Sequence, residues 1–525
     1  MDLSKNQKMN SSGFGFPDIM RLMIAVAFVI AVGLYASSNG AAVSNVSILA
    51  IAAAIGAYMA LNIGANDVAN NVGPAVGSKA LSMTGAILIA AVFEAAGALI
   101  AGGSVVGTIK KGIINPNAIA DAETFIWIMM AALLAGALWL NLATYVGAPV
   151  STTHSIVGGV LGAGIAAGGW DIANWGQMAA IAASWVISPL FGGVIAASFL
   201  IYIKRSVTYQ TDMITAARKV VPLLIALMVW AFSTYLIMKG LKKLWKTDLV
   251  TAAMMGFGIA IVAYFLVRPF IEKAADSLKN TKNSVNDLFT IPLIISAALL
   301  SFAHGANDVA NAIGPLAAIN DALITGSVAS KAAIPLWVML VGGIGIAVGL
   351  ALYGPKLIKT VGSEITELDK IRAFCIAMAA AITVIIASQL GLPVSSTHIA
   401  VGGIFGVGFL REYVKASYHK KLASIISHSE DAGHDAVQTS EFVARFKSES
   451  VEGKRALLRE LKDLADMSPI SKRERKGLKK ATKKELVKRS ALLKIAAAWI
   501  ITVPTSAILS AMIFYMLLGF SVSNN

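Results

Sequence analysis

Residues 64–74 read GANDVANNVGP, and residues 305–315, 241 positions further on, read GANDVANAIGP. Residues 149–159 read PVSTTHSIVGG, and residues 393–403, 244 positions further on, read PVSSTHIAVGG. Two motifs repeated in the same order at nearly equal spacing mark a duplicated chain, because self-similarity at a fixed period reflects a repeated structural unit. Asn66, Asp67, Asn70 and Pro74 then correspond to Asn307, Asp308, Asn311 and Pro315. Ser151, Thr152, Thr153 and His154 correspond to Ser395, Ser396, Thr397 and His398.

These motifs are set in apolar sequence. Apolar residues make up 57% of the 525-residue chain, charged ones only 14%, and the mean hydropathy is +0.72. Soluble domains carry about 25% charged residues, so a soluble enzyme, a disordered chain and a disulfide scaffold are excluded. Apolar segments long enough to span a bilayer lie near 20–38, 46–64, 84–106, 125–146, 176–203, 220–238 and 250–268, and again near 290–304, 334–354, 371–390 and 491–517. Two Gly-rich stretches, 149–168 and 393–410, have the length of re-entrant hairpin arms. The expected fold is an all-α polytopic membrane protein of roughly 11–12 transmembrane segments, built as two inverted-topology repeats with broken helices and re-entrant hairpins. Its expected divisions are an N-terminal segment with an extra helix (1–45), a first repeat (46–203), central connecting helices (204–289), a second repeat (290–410), a basic cytoplasmic loop (411–490) and a final helix with its tail (491–525).

Orientation follows from charge. The net charge is +15, and about half of the excess lies in 411–490. Basic loops between membrane helices follow the positive-inside rule and call for no nucleic-acid partner. With 411–490 and the loop around Lys204, Arg205, Arg218 and Lys219 in the cytoplasm, the first repeat starts outside and the second inside. The N-terminus is then cytoplasmic and the C-terminus outside. Lys239, Lys242, Lys243 and Lys246 fall on the outer side, against the trend. Ile19–Tyr35 reads as a retained membrane helix rather than a signal peptide, and the single Cys375 permits no internal disulfide.

A carboxylate at membrane depth costs about 2.5–3.5 kcal/mol on insertion scales, so Asp67 and Asp308 need compensation. A helix cap or a partner such as Lys79 would supply it for one acid. Two acids in the same repeated motif point to ion binding, since Asn and Asp offer hard oxygen ligands for Na⁺ or a place for a transferred proton, and the flanking Gly and Pro permit a broken helix with freed carbonyls. Pro followed by Ser and Thr suits the start of a helix, whose free N–H groups and hydroxyls make an anion site. Under inverted symmetry Ser151, Thr152 and Thr153 would meet Ser395, Ser396 and Thr397 near the midplane, in a form suited to a tetrahedral oxyanion. His154, His304 and His398 lie in the motifs, and without cysteines they read as groups that bond a neighbouring carbonyl, orient the site or relay a proton rather than as a zinc site. Glu94, inside AVFEAAGAL, is either a cation ligand or a partner of Lys110 or a polar helix. No Arg lies in any motif, so anion binding here needs a bound cation. Moving a dianion into an inside-negative cell costs about 4.6 kcal/mol per 100 mV, twice the single-charge value, which cation co-transport offsets. An intramembrane hydrolase would need one asymmetric centre, whereas every candidate group occurs twice, and a channel needs no such carboxylates.

The doubled GANDVAN and PVS(S/T)TH motifs resemble the inorganic phosphate transporter (PiT) family over about residues 46–517. The segments GANDVANNVGPAVGSKALS (64–82) and FEAAGALIAGGSVVGTIKKGII (93–114) resemble its sodium-coupled branch. The resemblance implies uptake of inorganic phosphate by sodium symport, an elevator-like or rocking motion, a homodimer in the plasma membrane (the inner membrane of a bacterium), Na⁺ as coupling ion and no other cofactor. It places Na⁺ at Asn66, Asp67, Asn307 and Asp308, with Thr144 and Ser388 as further ligands. It places phosphate at Ser151, Thr152, Thr153, Ser395, Ser396, Thr397, Asn70 and Asn311, with Glu94, His154, His304 and His398 as accessory groups. Proton coupling and sulfate transport are the alternatives within the family. Sodium-coupled members often carry an acid in the helix before the second PVSSTH motif, where this chain has Ala377, and many place their large loop between the halves rather than at 411–490.

Overall fold

The computed structural model describes residues 16–39, 43–239, 247–328, 334–364, 368–431 and 489–523. Among them there is no strand, and eleven helices are long and apolar enough to cross a membrane. The helices are α1 (Phe16–Ser38), α2 (Val46–Asn66), α3 (Val68–Gly77), α4 (Met83–Ala101), α5 (Gly103–Lys111), α6 (Ala122–Val146), α7 (Thr152–Gly168), α8 (Trp175–Ile203), α9 (Met213–Lys239), α10 (Leu249–Asp276), α11 (Lys282–Leu288), α12 (Thr290–Asp308), α13 (Ala310–Thr325), α14 (Leu336–Lys359), α15 (Lys370–Gln389), α16 (Ser396–Asp431) and α17 (Arg489–Ser523). Their unpartnered outer faces are apolar. On α10, Val250, Met254, Phe257, Ile261 and Phe265 are all exposed, as a lipid-facing helix requires.

The GANDVAN motifs sit where α2 meets α3 and where α12 meets α13. The expected break is slight. Asp67 (φ −83°, ψ −38°) and Val309 (φ −55°, ψ −31°) keep right-handed helical dihedrals, and the Asp67 N–H still donates to Ile63. The carbonyls freed in these segments are those of Asn70 and Asn311, because Pro74 and Pro315 have no N–H to give them. The PVS motifs follow α6 and α15. Gly147 (φ +76°) and Gly391 (φ +68°) take the left-handed conformation there, which glycine adopts without strain and which turns the chain out of one helix toward the next.

The two halves are interlocked. α4 packs along α12, and α14 packs along α2. α8 packs along α16, and α17 packs along α7. Each half therefore lends helices to the other. The crossings are close because they run on glycine, as small residues allow between membrane helices. A Cβ on Gly64 would overlap the Ile346 carbonyl, and one on Gly349 the Leu61 carbonyl. In the other half a Cβ on Gly305 would overlap the Glu94 carbonyl, and one on Gly97 the Phe302 carbonyl. Likewise Gly162 abuts Ala507, and Gly406 abuts Gly193. These contacts give the register of the duplication outside the motifs: Glu94 and Gly97 match Ile346 and Gly349, and Gly193 matches Ala507.

Two expectations change. The second Gly-rich arm does not stop near residue 410, because α16 continues to Asp431. The first 21 residues of the block expected as a loop are thus helical backbone, while 432–488, including most of the basic Lys472–Arg489 section, lie outside the described residues. The block separates α16 from α17, the counterparts of α7 and α8, which are joined by Gly169–Asn174 alone.

If the glycine crossings hold the halves together, Gly64→Ala will destabilise the detergent-purified protein by about 1–3 kcal/mol, the usual range for overpacking. Gly258→Ala, where a Cβ would meet nothing within 4 Å, will change stability by less than about 1 kcal/mol. Thermal unfolding of the two variants beside the parent protein checks this.

Candidate functional site

The carboxylates, asparagines and several hydroxyls of the motifs converge in one buried cluster. Asp67, Asp308 and His304 each offer a ligand atom within 4.8 Å of the others, and all three are buried. Asp67 accepts from two hydroxyls, Thr152 Oγ1 on Oδ2 (2.6 Å) and Thr397 Oγ1 on Oδ1 (2.9 Å). Asp308 Oδ2 accepts from Ser396 Oγ (3.0 Å). Neither acid caps a helix with its side chain, and Lys79 is exposed at the surface. Hydroxyls at the starts of α7 and α16 therefore compensate these carboxylates, together with His304.

The asparagines brace the cluster in matching fashion. Asn66 Nδ2 donates to Thr144 Oγ1 (3.0 Å) and the Ala148 carbonyl (3.1 Å). Asn307 Nδ2 donates to Ser388 Oγ (2.9 Å) and, at 3.5 Å, to the Leu392 carbonyl. The second-layer asparagines cross between halves. Asn70 Nδ2 donates to Thr397 Oγ1 (2.8 Å), and Asn311 Nδ2 to Thr152 Oγ1 (3.0 Å) and Thr153 Oγ1 (3.2 Å). Thr153 Oγ1 in turn donates to the Val394 carbonyl of the opposite motif (3.0 Å). Ser151 and Ser395 do the local work, each accepting from the N–H of the histidine three residues on, at 3.1 and 3.2 Å. The structure thus brings Asn66, Asp67, Asn70, Thr144, Thr152 and Thr153 together with Asn307, Asp308, Asn311, Ser388, Ser396 and Thr397, while Ser151 and Ser395 cap their own helices.

Four buried oxygens in this cluster have no hydrogen-bond partner: Asn70 Oδ1, Asn307 Oδ1, Asp308 Oδ1 and Asn311 Oδ1. An unsatisfied buried acceptor costs about 1–3 kcal/mol, so several in one place point to a ligand that supplies positive charge. They are hard oxygens, suited to an alkali cation rather than to a soft metal. The halves differ here, since Asn66 Oδ1 accepts from the Val150 N–H at 3.1 Å.

Glu94 is fully buried against the second half. Its Oε1 accepts from Asn71 Nδ2 (2.7 Å), and its Oε2 lies 2.7 Å from His304 Nδ1. Glu94 thus meets polar side chains of both halves, Asn71 and His304. The rings of His154 and His398 meet edge to face at 4.4 Å, flanked by Trp185 (3.8 Å from His154) and Trp499 (3.6 Å from His398). Sequence reading missed both tryptophans. Trp185 and Trp499 lie on the matching helices α8 and α17, four residues before the matched positions Pro189 and Val503, which meet Gly402 and Gly158. That signal emerges only once the long block between α16 and α17 is recognised as an insertion.

Known proteins resemble this chain over most of its length. A family model described as the phosphate transporter family matches residues 63–510. A Helicobacter pylori protein named "putative phosphate permease" is 54% identical over 511 residues, covering 96% of either chain. A Pyrococcus abyssi protein of the same description is 40% identical across 68% of this chain and 87% of its own. A solved structure described as the sodium-dependent phosphate transporter superposes with a TM-score of 0.73 at 32% identity, covering 90% of this chain and 99% of that one.

Because Asn66 Oδ1 is engaged and Asn307 Oδ1 is not, the matching substitutions differ in effect. Asn66→Ala will cost about 1–3 kcal/mol more stability than Asn307→Ala, through the buried Val150 N–H left without an acceptor. Thermal unfolding in sodium-free, phosphate-free buffer, with both variants in parallel, makes the comparison.

Proposed function

Since this chain belongs to the phosphate transporter family, we propose that it is a secondary transporter that imports inorganic phosphate by sodium symport. Its relatives are permeases and a transporter rather than enzymes. In this reading sodium is held by Asn66, Asp67, Asn307, Asp308, Thr144 and Ser388. Phosphate is held by Ser151, Thr152, Thr153, Ser395, Ser396, Thr397, Asn70 and Asn311.

The observation that carries the reading is the direct contact of hydroxyls with carboxylates, Thr152 and Thr397 on Asp67 and Ser396 on Asp308. It gives a mechanism of coupling. A phosphate oxyanion needs the same hydroxyl protons that the carboxylates accept. A sodium ion on a carboxylate replaces that hydrogen bond with a stronger charge interaction, and the hydroxyl oxygen can turn a lone pair to the ion. The proton is then free to face phosphate. Sodium and phosphate therefore bind better together than apart, a coupling free energy that is reciprocal by linkage. Without sodium, phosphate meets two carboxylates and no arginine, and is repelled.

The site joins segments of both repeats and must open to each side in turn. We assign this to an elevator-like or rocking motion of repeats with inverted topology, in a homodimer in the plasma membrane, the inner membrane if the cell is bacterial. The N-terminus is placed in the cytoplasm and the C-terminus outside. Charge arithmetic supports sodium coupling: two or more Na⁺ offset the cost of carrying a dianion inward. The neighbour of known structure, described as sodium-dependent, supports it too.

The test is uptake of labelled phosphate by proteoliposomes under an imposed sodium gradient and, separately, under an imposed proton gradient. Uptake under the sodium gradient alone is expected. Uptake under the proton gradient alone sinks the sodium assignment, and transport of sulfate in place of phosphate sinks the substrate. Thr397→Val removes one shared hydroxyl, and a hydrogen bond to a charged group is worth about 1.5–3 kcal/mol, so KM for phosphate should rise roughly ten- to a hundredfold.

A further inference from the structure

The duplication matches Asp67 with Asp308, but their surroundings are not matched. At the 241-residue offset His304 corresponds to Ile63 and Asn71 to Ala312. The glycine crossings match Glu94 with Ile346. A polar chain drawn from both halves, Asn71–Glu94–His304–Asp308, therefore leads to Asp308, where Ala312, Ile346 and Ile63 take the matching places beside Asp67. Every link is short and buried: Asn71 to Glu94 at 2.7 Å, Glu94 to His304 Nδ1 at 2.7 Å, and His304 Nε2 to Asp308 Oδ2 at 2.8 Å. The last contact has ion-pair distance without the alignment of a hydrogen bond, since Nε2 has no aligned acceptor. A carboxylate faces each ring nitrogen, an arrangement that suits an imidazolium with a donor on either side.

We propose that Glu94 and His304 make the two cation sites unequal, His304 acting as a built-in positive group that weakens sodium binding at Asp308 relative to Asp67. The proposal rests on the sodium-symport reading above. Glu94 and His304 are positioning residues that act through Asp308. Glu94 balances His304, so the pair adds no net charge beside Asp308, yet it places the positive member in contact with the carboxylate and the negative member behind it. Asp67 lies within 4.8 Å of the same imidazole but takes its hydrogen bonds from hydroxyls, and these yield to an ion by rotating. The imidazole is held from behind by Glu94 and cannot yield in that way. Sodium therefore fills the Asp67 site at lower concentration, and the Asp308 site sets the sodium concentration at which uptake is half-activated.

The two partners of one contact then have opposite effects. His304→Gln removes the positive group and leaves Glu94 as an added negative one, so half-activating sodium should fall at least threefold and the sodium curve should steepen. Glu94→Gln leaves the positive group without its balance, so half-activating sodium should rise at least threefold. The double variant Glu94→Ile/His304→Ile transplants the matching pair Ile346 and Ile63, a packing the fold already accommodates, and should also bind sodium more tightly than the parent. The experiment is labelled-phosphate uptake at saturating phosphate, with sodium chloride replaced stepwise by choline chloride, in proteoliposomes of the full chain. For any variant with too little uptake to fit, the sodium concentration that half-stabilises the detergent-purified protein against heat is measured instead. A contact that merely holds the structure gives losses of maximal uptake with an unmoved sodium curve, or shifts of the same sign for both single variants, and either result overturns the proposal. A parent protein without sodium-driven phosphate uptake overturns instead the transport reading on which it rests.

Discussion

Asp67 and Asp308 lie beside each other in the interior of an apolar helical bundle, and their oxygens must be satisfied without water. The rest of the architecture serves that requirement. Hydroxyl donors reach the acids because α7 and α16 start beside them, and those starts are placed by the left-handed turns at Gly147 and Gly391. Asn66 and Asn307 tie the ends of α2 and α12 to the same turns. Asn70 and Asn311 then reach across, so that each half completes the polar shell of the other. Removing one member of such a buried network leaves a partner exposed to the full desolvation cost, which is why networks of this kind are retained whole.

Interlocking has a mechanical meaning as well. α4 and α8 pack on second-half helices, and α14 and α17 pack on first-half helices, so neither half has a complete core of its own. The glycine contacts that allow this bring backbones together with no side chain between them. Such crossings suit sliding, because there are few interdigitated side chains to unlock. The hydrogen bonds between the halves, Asn70 to Thr397, Asn311 to Thr152 and Thr153, and Thr397 to Asp67, are by contrast discrete contacts that a displacement must break and remake.

Much of this was legible in the sequence. The eleven spanning segments, the duplication and nearly all residues of the cluster follow from hydropathy and from two repeated motifs, because membrane depth forces polar groups to be few and purposeful. What stayed hidden depended on relations between helices. Glu94 could not be assigned a partner, since Asn71 and His304 are brought to it by the packing of α4 on α12, at sequence separations no pattern encodes. The His154–His398 contact and its flanking tryptophans were hidden for a similar reason, as the insertion after α16 shifts Trp499 out of register with Trp185. The extent of α16 was misread because its second part is polar, and a polar helix outside the bilayer has no hydrophobic period to announce it.

The Glu94–His304 pair also carries history. A half-length ancestor pairing with a second copy of itself could not have held it, because any substitution would appear in both copies and the two sites would remain alike. Two unequal sites therefore require two different halves, whether separate copies or one joined chain supplies them.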